Sequence, residues 1–168
     1  MARLRSPAHV ELQIEHHSEF ITRHKSRLPS LALTHNGQRT TDNPQSIVYH
    51  DPCYLGRYQD IYEAPREVVA LSGTLVEAPR NRERSFCCGA GGGLAFLGEE
   101  AGERVSHVRA RELAATGAQT VATACPFCNT MFRDALAAIA PEDGHSPPQL
   151  LDIAQLAARA LPRPEAGP

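Results

Sequence analysis

Thr120-Val121-Ala122-Thr123-Ala124-Cys125-Pro126-Phe127-Cys128 is the stretch on which the reading of this chain turns. Five small or β-branched residues in a row suit a strand buried on both faces. Proline cannot continue a central strand but fits the first turn of a helix. The stretch therefore reads as a buried strand that delivers Cys125 and passes straight into a helix through Met131, Leu136 and Ile139. Cys128 falls in that helix's first turn, where the helix dipole favours a thiolate.

The same arrangement recurs upstream. Ile47-Val48-Tyr49-His50 is a compact strand ending in Asp51-Pro52-Cys53. Ala64 to Leu71 is a helix candidate with Pro65 in its first turn and Gly73 as its stop. Thr74 to Glu77 is the next strand, halted by Pro79, and a charged loop from Arg80 to Arg84 leads to Cys87-Cys88-Gly89-Ala90-Gly91-Gly92-Gly93. Glu99 to Thr116 reads as the longest helix, with Val105, Val108 and Leu113 on its apolar side, acids in its first turn and Gly117 as terminator. After the 120–128 stretch come a loop from Pro141 to Pro148, a short strand or helix entry at Leu150 to Ile153, and a final helix from Ala154 to Leu161. Near the start, Val10, Leu12 and Ile14 alternate as in a strand, Ser18 is a candidate cap for a helix carrying Phe20 and Ile21, and Leu28 to Leu33 continues that packing. Thr34 to Ser46 reads as a loop. His16, His17 and His24 match no zinc spacing and read as surface or capping histidines.

Alternating strands and helices predict an α/β fold: a small, mainly parallel sheet flanked by helices, with the cysteines on loops at the C-terminal edge of the strands, where such sheets bind ligands. The division is a flexible start at 1–8, one cysteine-rich domain over 9–161 and a proline-rich tail at 162–168. A chain of 168 residues with 42% apolar content buries roughly 70% of its unfolded surface, enough for a core that needs no cofactor to hold it. A formal net charge of −2 gives no reason to expect nucleic acid as a partner. The first residues lack the apolar run of a signal peptide, and no stretch is apolar for long enough to span a bilayer, so the reading is cytoplasmic.

All five cysteines belong to one spaced set: 33 residues separate Cys53 from Cys87, and 36 separate Cys88 from Cys125. In a reducing compartment clustered thiols point to metal or redox chemistry before disulfides, and five cannot all pair. Adjacent cysteines reach one centre only if the backbone bends sharply, because neighbouring Cα atoms are about 3.8 Å apart and their side chains diverge. Gly89 and Gly91 to Gly93 permit that bend and let backbone N–H groups approach sulfur. A structural zinc site prefers two close pairs of ligands, which this set does not offer. Cys125-Pro126-Phe127-Cys128 is also the pattern of a redox dithiol, although only 40 residues follow it, few for the paired strands that thioredoxin-like folds place there. An iron–sulfur cluster accommodates all five cysteines. Structural zinc and thiol–disulfide exchange at Cys125/Cys128 stay open as alternatives. No Ser/His/Asp set stands out, and the glycine run lacks the Lys-Ser/Thr ending of a phosphate loop.

These residues resemble the cysteine-rich CCG domains of the heterodisulfide reductase B and D subunit class and related iron–sulfur oxidoreductases. The likeness is carried by His50-Asp51-Pro52-Cys53-Tyr54-Leu55-Gly56-Arg57, by Arg84 through Cys87-Cys88-Gly89 to Gly93, and by Thr116-Gly117-Ala118 through Cys125-Pro126-Phe127-Cys128. It covers about residues 9–161, and the wording is most similar to the C-terminal CCG domain of large iron–sulfur oxidoreductases. The resemblance implies a noncubane 4Fe-4S cluster on Cys53, Cys87, Cys88, Cys125 and Cys128, and an electron-transfer role in quinone-, flavoprotein- or 2-hydroxy-acid-linked oxidoreductases, as a subunit or domain. It implies as partners another iron–sulfur or flavoprotein subunit, electron-transfer flavoprotein among them, or a second CCG domain, with membrane association only through a partner at the inner face. His50, Asp51, Gly89 and Gly91 are the candidates for groups supporting the centre, and Arg57 and Tyr58 flank Cys53 as further contacts.

Overall fold

In the computed structural model, residues 2–5, 11–27, 45–97, 102–139 and 146–160 are described. The expectations for Leu28 to Leu33, for most of the 34–46 loop and for the tail at 162–168 lie outside them.

Strands β1 (Ala2–Arg5) and β2 (Glu11–Ile14) pair antiparallel as a ribbon of their own. Helix α1 (His17–Arg23) follows. Its N-cap is His16, which accepts from the Ser18 N–H while Glu19 accepts from the His16 N–H at 3.0 Å. The cap expected at Ser18 therefore sits two residues earlier, because an imidazole nitrogen can accept the N–H bond usually given to a hydroxyl.

The main sheet contains β3 (Ser46–His50), β4 (Thr74–Val76), β5 (Thr120–Thr123) and β6 (Gln149–Asp152). All its pairings are parallel, in the order β4-β3-β5-β6. The connections are α2 (Glu63–Ser72) after β3, the short α3 (Leu94–Leu97) and α4 (Val105–Ala114) between β4 and β5, and α5 (Pro126–Ala138) after β5. Helix α6 (Ile153–Ala160) begins where β6 ends, so the segment Leu150 to Ile153 is both a strand and a helix entry.

Because strand side chains alternate, β3 feeds two cores. Ile47 and Tyr49 pack with Val68, Val69, Leu151 and Leu156 beneath α2 and α6. Val48 packs on the opposite face with Val121, Ala110, Leu113, Phe132 and Leu136 from α4 and α5. Fully burying one such side chain contributes about 1.5–3 kcal/mol, and these two layers hold the strand ends in place.

Helix α4 starts later than the sequence suggests and turns a different face to the core. Gly102 has φ 78 and Arg104 is extended at the cap, so Glu103 precedes the helix instead of filling its first turn; Glu99 and Glu100 lie outside the described residues. Its buried residues are Ser106, Arg109, Ala110 and Leu113, whereas Val105 and Val108 are only half-buried.

The strand order reverses direction between β3 and β5: from β3 the chain goes outward to β4, then returns across to β5. In an open parallel sheet the crevice outside the C-terminal ends of such a pair is the natural ligand site. The register aligns His50 with Thr123. Cys53 and Cys125 leave the sheet on either side of that crevice.

Candidate metal centre

Three loops bring the thiols together. Cys53 lies in a tight turn after β3, where Gly56 N–H donates to Pro52 O and Arg57 N–H to Cys53 O, each at 2.9 Å. Cys125 is the N-cap of α5, in extended backbone, with Pro126 next and Cys128 buried in the first turn, as the sequence predicts. Cys87 and Cys88 do not follow β4 directly: a 3-10 turn at Arg82–Arg84 intervenes. Cys88 and Cys128 are buried and the other three are half-buried.

The five thiols form one connected group. The sulfurs of Cys88 and Cys128 lie within 4.8 Å of each other, and Cys125 and Cys87 are near enough to take part in setting their acidity. Cys53 feels the charges of Cys87, Cys88 and Cys125. Backbone N–H groups converge on the same sulfurs: Gly89 on Cys87 at 3.3 Å, Ala90 on Cys88, Tyr54 on Cys53, and Phe127 and Cys128 on Cys125. Gly89 reaches this position with φ 89, a left-handed conformation costly for any residue with a Cβ. Gly91 opens the 3-10 turn that follows the cysteine pair.

The thiols differ in acidity. The hydrogen bond from Cys128, helped by backbone N–H groups and opposed by burial, brings Cys125 down to about 6. The same Cys128 donor, again against burial, brings Cys88 to about 7. Cys128 retains its proton because it donates to both neighbours and is buried. Burial, then Cys87 and Cys88, pushes Cys53 up.

His50, Asp51, Cys53, Arg57, Cys87, Cys88 and Cys128 line one cleft. Cys125 instead lines a wider cavity of about 710 Å³ with Pro52, Tyr54, Leu55 and His16.

The candidate supporting residues have different surroundings. Asp51 is closed off: Arg66 clasps its carboxylate with two bonds of 2.6 and 2.9 Å, and the Arg82 N–H adds a third at 2.8 Å. Arg57 donates to the Ser85 carbonyl, and Ser85 Oγ donates to the Asp51 carbonyl at 3.1 Å, so together they tie the Cys53 loop to the segment leading into Cys87. Tyr58 is exposed and stacks on Tyr54. His50 is 1% exposed, and burial followed by the nearby charges of Arg109 and Arg57 holds it well below its ordinary value, hence neutral. One His50 ring nitrogen and the sulfurs of Cys88 and Cys128 lie within 4.8 Å of one another.

Sequence reasoning missed Arg66, Ser85 and above all Arg109. The available signal was spacing: Ser106, Arg109, Ala110 and Leu113 form a helical stripe, and an arginine inside it is an anomaly that calls for a buried partner.

The donor set fits a thiophilic metal group. The loops carrying the five cysteines end at one sheet edge, backbone N–H groups meet four of the sulfurs, and the buried Nε2 of His50, a residue grouped with Cys88 and Cys128, has no hydrogen-bond partner among the described residues. The class defined is a parallel α/β domain with a thiol site at the topological switch point. The sequence profile described as "Cysteine-rich domain" (CCG) matches residues 47–133, and the chain belongs to that family.

Curated relatives agree. The chain is 38% identical over 137 residues to the probable iron-sulfur-binding oxidoreductase FadF of Bacillus subtilis, covering 79% of this chain and 18% of that protein. It is 40% identical over 155 residues to a probable membrane-anchored ferredoxin of Chromohalobacter salexigens, covering 90% and 21%. It is 35% identical over 123 residues to the EtfAB:quinone oxidoreductase of Syntrophomonas wolfei, covering 68% and 17%. The chain thus spans about a fifth of the length of these relatives. Among the described residues no helix is long and apolar enough to cross a membrane.

Proposed function

We propose that residues 9–161 are an electron-transfer domain that holds one iron–sulfur cluster, of the noncubane 4Fe-4S kind, on Cys53, Cys87, Cys88, Cys125 and Cys128. One observation carries this reading. The loops that carry all five cysteines end at one switch point, where Cys88 and Cys128 lie with a His50 ring nitrogen within 4.8 Å of one another and Cys53 lines the same cleft as Cys87, Cys88 and Cys128. When bound, such a cluster supplies reversible one-electron chemistry. The chain's own part is to hold the thiolates, aim N–H groups at sulfur and place Cys125 beside an open cavity. Asp51 fixes the loops, and His50 and Gly89 face the sulfurs; Gly91 shapes the bend that follows.

The domain acts as part of a larger oxidoreductase. The names of its relatives favour an iron–sulfur or flavoprotein subunit as electron partner, with electron-transfer flavoprotein and quinone as the neighbouring redox couples, or a second CCG domain of the same assembly. The working location is the cytoplasm or, through a partner, the inner face of the membrane.

A second reading has its own support. Cys125 held near 6 beside a Cys128 that keeps its proton is the asymmetry that thiol–disulfide exchange uses. Against it, among the described residues only one strand, the parallel β6, follows α5. A structural zinc ion is the third occupant to test.

Purification under anaerobic conditions tests all three. Iron and acid-labile sulfide at about four each per chain support the cluster. Stoichiometric zinc without sulfide overturns it. Cys88→Ser and Cys125→Ser, checked for folding by circular dichroism, should lose cluster content to a similar extent. An iron-free Cys88→Ser protein that exchanges disulfides normally sides with the dithiol.

A further inference from the structure

Several buried polar atoms lack a hydrogen-bond partner, and Nε2 of His50 is the one whose ring lines the thiol cleft. The other sides of that ring are fixed. Arg109 Nε–H donates to His50 Nδ1 at 3.2 Å, and Phe132 meets the ring edge-on with centroids 4.7 Å apart. Arg109 is itself anchored, with Nη1 donating to the Arg80 carbonyl at 3.0 Å and pairing with the Glu112 carboxylate at 2.9 Å.

A guanidinium has donors only and keeps its protons. The nitrogen that faces Arg109 must therefore offer a lone pair. In a neutral ring the proton then stands on the other nitrogen, Nε2. The trio of His50, Cys88 and Cys128 within 4.8 Å has the composition of a metal site with one imidazole ligand. A protonated nitrogen has no lone pair to give a metal. It can donate a hydrogen bond to a sulfur.

We infer that Arg109 locks His50 in the Nε2–H tautomer and that this N–H donates to a sulfur of the group held at Cys88 and Cys128, which makes His50 a positioning residue and not a ligand. This rests on the proposed thiolate-held centre. A neutral donor aimed at thiolate or sulfide stabilises the more negative, reduced state, and so raises the centre's potential. Arg109 contributes through the tautomer it enforces, one residue further from the sulfurs.

Nitrogen-15 spectra of histidine in the full chain test the lock directly, on metal-free protein and on protein loaded with cadmium as a diamagnetic, thiol-seeking ion. Between about pH 6 and 8, His50 should show a protonated Nε2 and a bare Nδ1 in both, with the Nε2 proton shifting on loading. A bare Nε2 in the cadmium form, an imidazolium, or an Nδ1–H ring overturns the proposal. A chain that takes up no iron defeats the cluster reading but leaves these spectra to decide the tautomer. Where iron loads, His50→Leu should lower the reduced-to-oxidised ratio at a fixed applied potential by about tenfold, the equivalent of one hydrogen bond to a charged acceptor. His50→Gln keeps an N–H donor and should recover part of the loss. Arg109→Met, with the histidine still present, should reproduce the direction of the His50→Leu shift. Equal potentials in wild type and all three variants also overturn the proposal. The wild-type spectra decide the tautomer even if a variant fails to fold.

Discussion

His50 and Asp51 are neighbours at the end of one strand, and each meets a buried arginine, yet the two networks are built differently. Asp51 and Arg66 form a closed set: two bonds join them, Glu77 takes two more from Arg66 at 2.7 and 3.0 Å, and the Tyr62 carbonyl takes another at 2.8 Å. His50 and Arg109 form an open one, in which His50 Nε2 and Arg109 Nη2 are buried without partners. A closed network holds a fold together, whereas an open one beside reactive groups leaves donors and acceptors free to act on them. The difference assigns Asp51 to architecture and His50 to the thiols, although sequence treated them as equivalent.

The largest expected effect tests the closed set. Arg66→Met leaves the Asp51 carboxylate buried without its main counter-charge, which costs about 3–5 kcal/mol when a buried pair is broken from one side. Arg109→Met should cost less, about 1–3 kcal/mol, because Glu112 keeps Arg80 at 2.7 Å. Urea unfolding of both variants measures this. Equal losses would mean that the second network is as structural as the first.

The strand and helix alternation, the parallel sheet and the delivery of Cys53 and Cys125 were legible in sequence, because buried strands and proline-started helices leave local marks. The length of α4 and its buried face were not. The apolar residues Val105 and Val108 drew the reading to one side, while the fold buries Ser106 and Arg109 to reach β3. A contact between residues 50 and 109 is set by packing across a sheet, and no local pattern reports it. The detour through Arg82–Arg84 before Cys87 was hidden for a related reason: the Arg82 N–H bonds to Asp51 Oδ2, in another loop.

Glycine variants sharpen the comparison at the next level. Gly89 and Gly92 both have positive φ, 89 and 64, and alanine at either should cost about 1–2 kcal/mol of backbone strain. Of the two, Gly89 is the one that donates to a cysteine sulfur. Gly89→Ala should therefore lose iron or cadmium binding beyond its loss of stability, and Gly92→Ala, with open space around an added Cβ, should not. Matched metal titrations and unfolding curves separate the two effects. Parallel losses in both would remove the special role given to the Gly89 N–H.

The smallest effect lies at the outer end of the open network and depends on pH. Burial opposes ionisation of Glu112, but hydrogen bonds from Arg80 and Arg109 outweigh it, so its carboxyl is held below the ordinary value of 4.5. A carboxyl whose folded pKa is depressed binds fewer protons in the folded state than in the unfolded state. Its contribution to stability is therefore full above the unfolded pKa and fades as pH falls through the folded one. Wild type should be more stable than Glu112→Gln at neutral pH, and the two urea midpoints should converge in acid, below about pH 4. If the gap persists unchanged there, the carboxylate charge is not what anchors Arg109. In that case shape alone would hold the guanidinium against His50, and the anchoring assigned to Glu112 would fall.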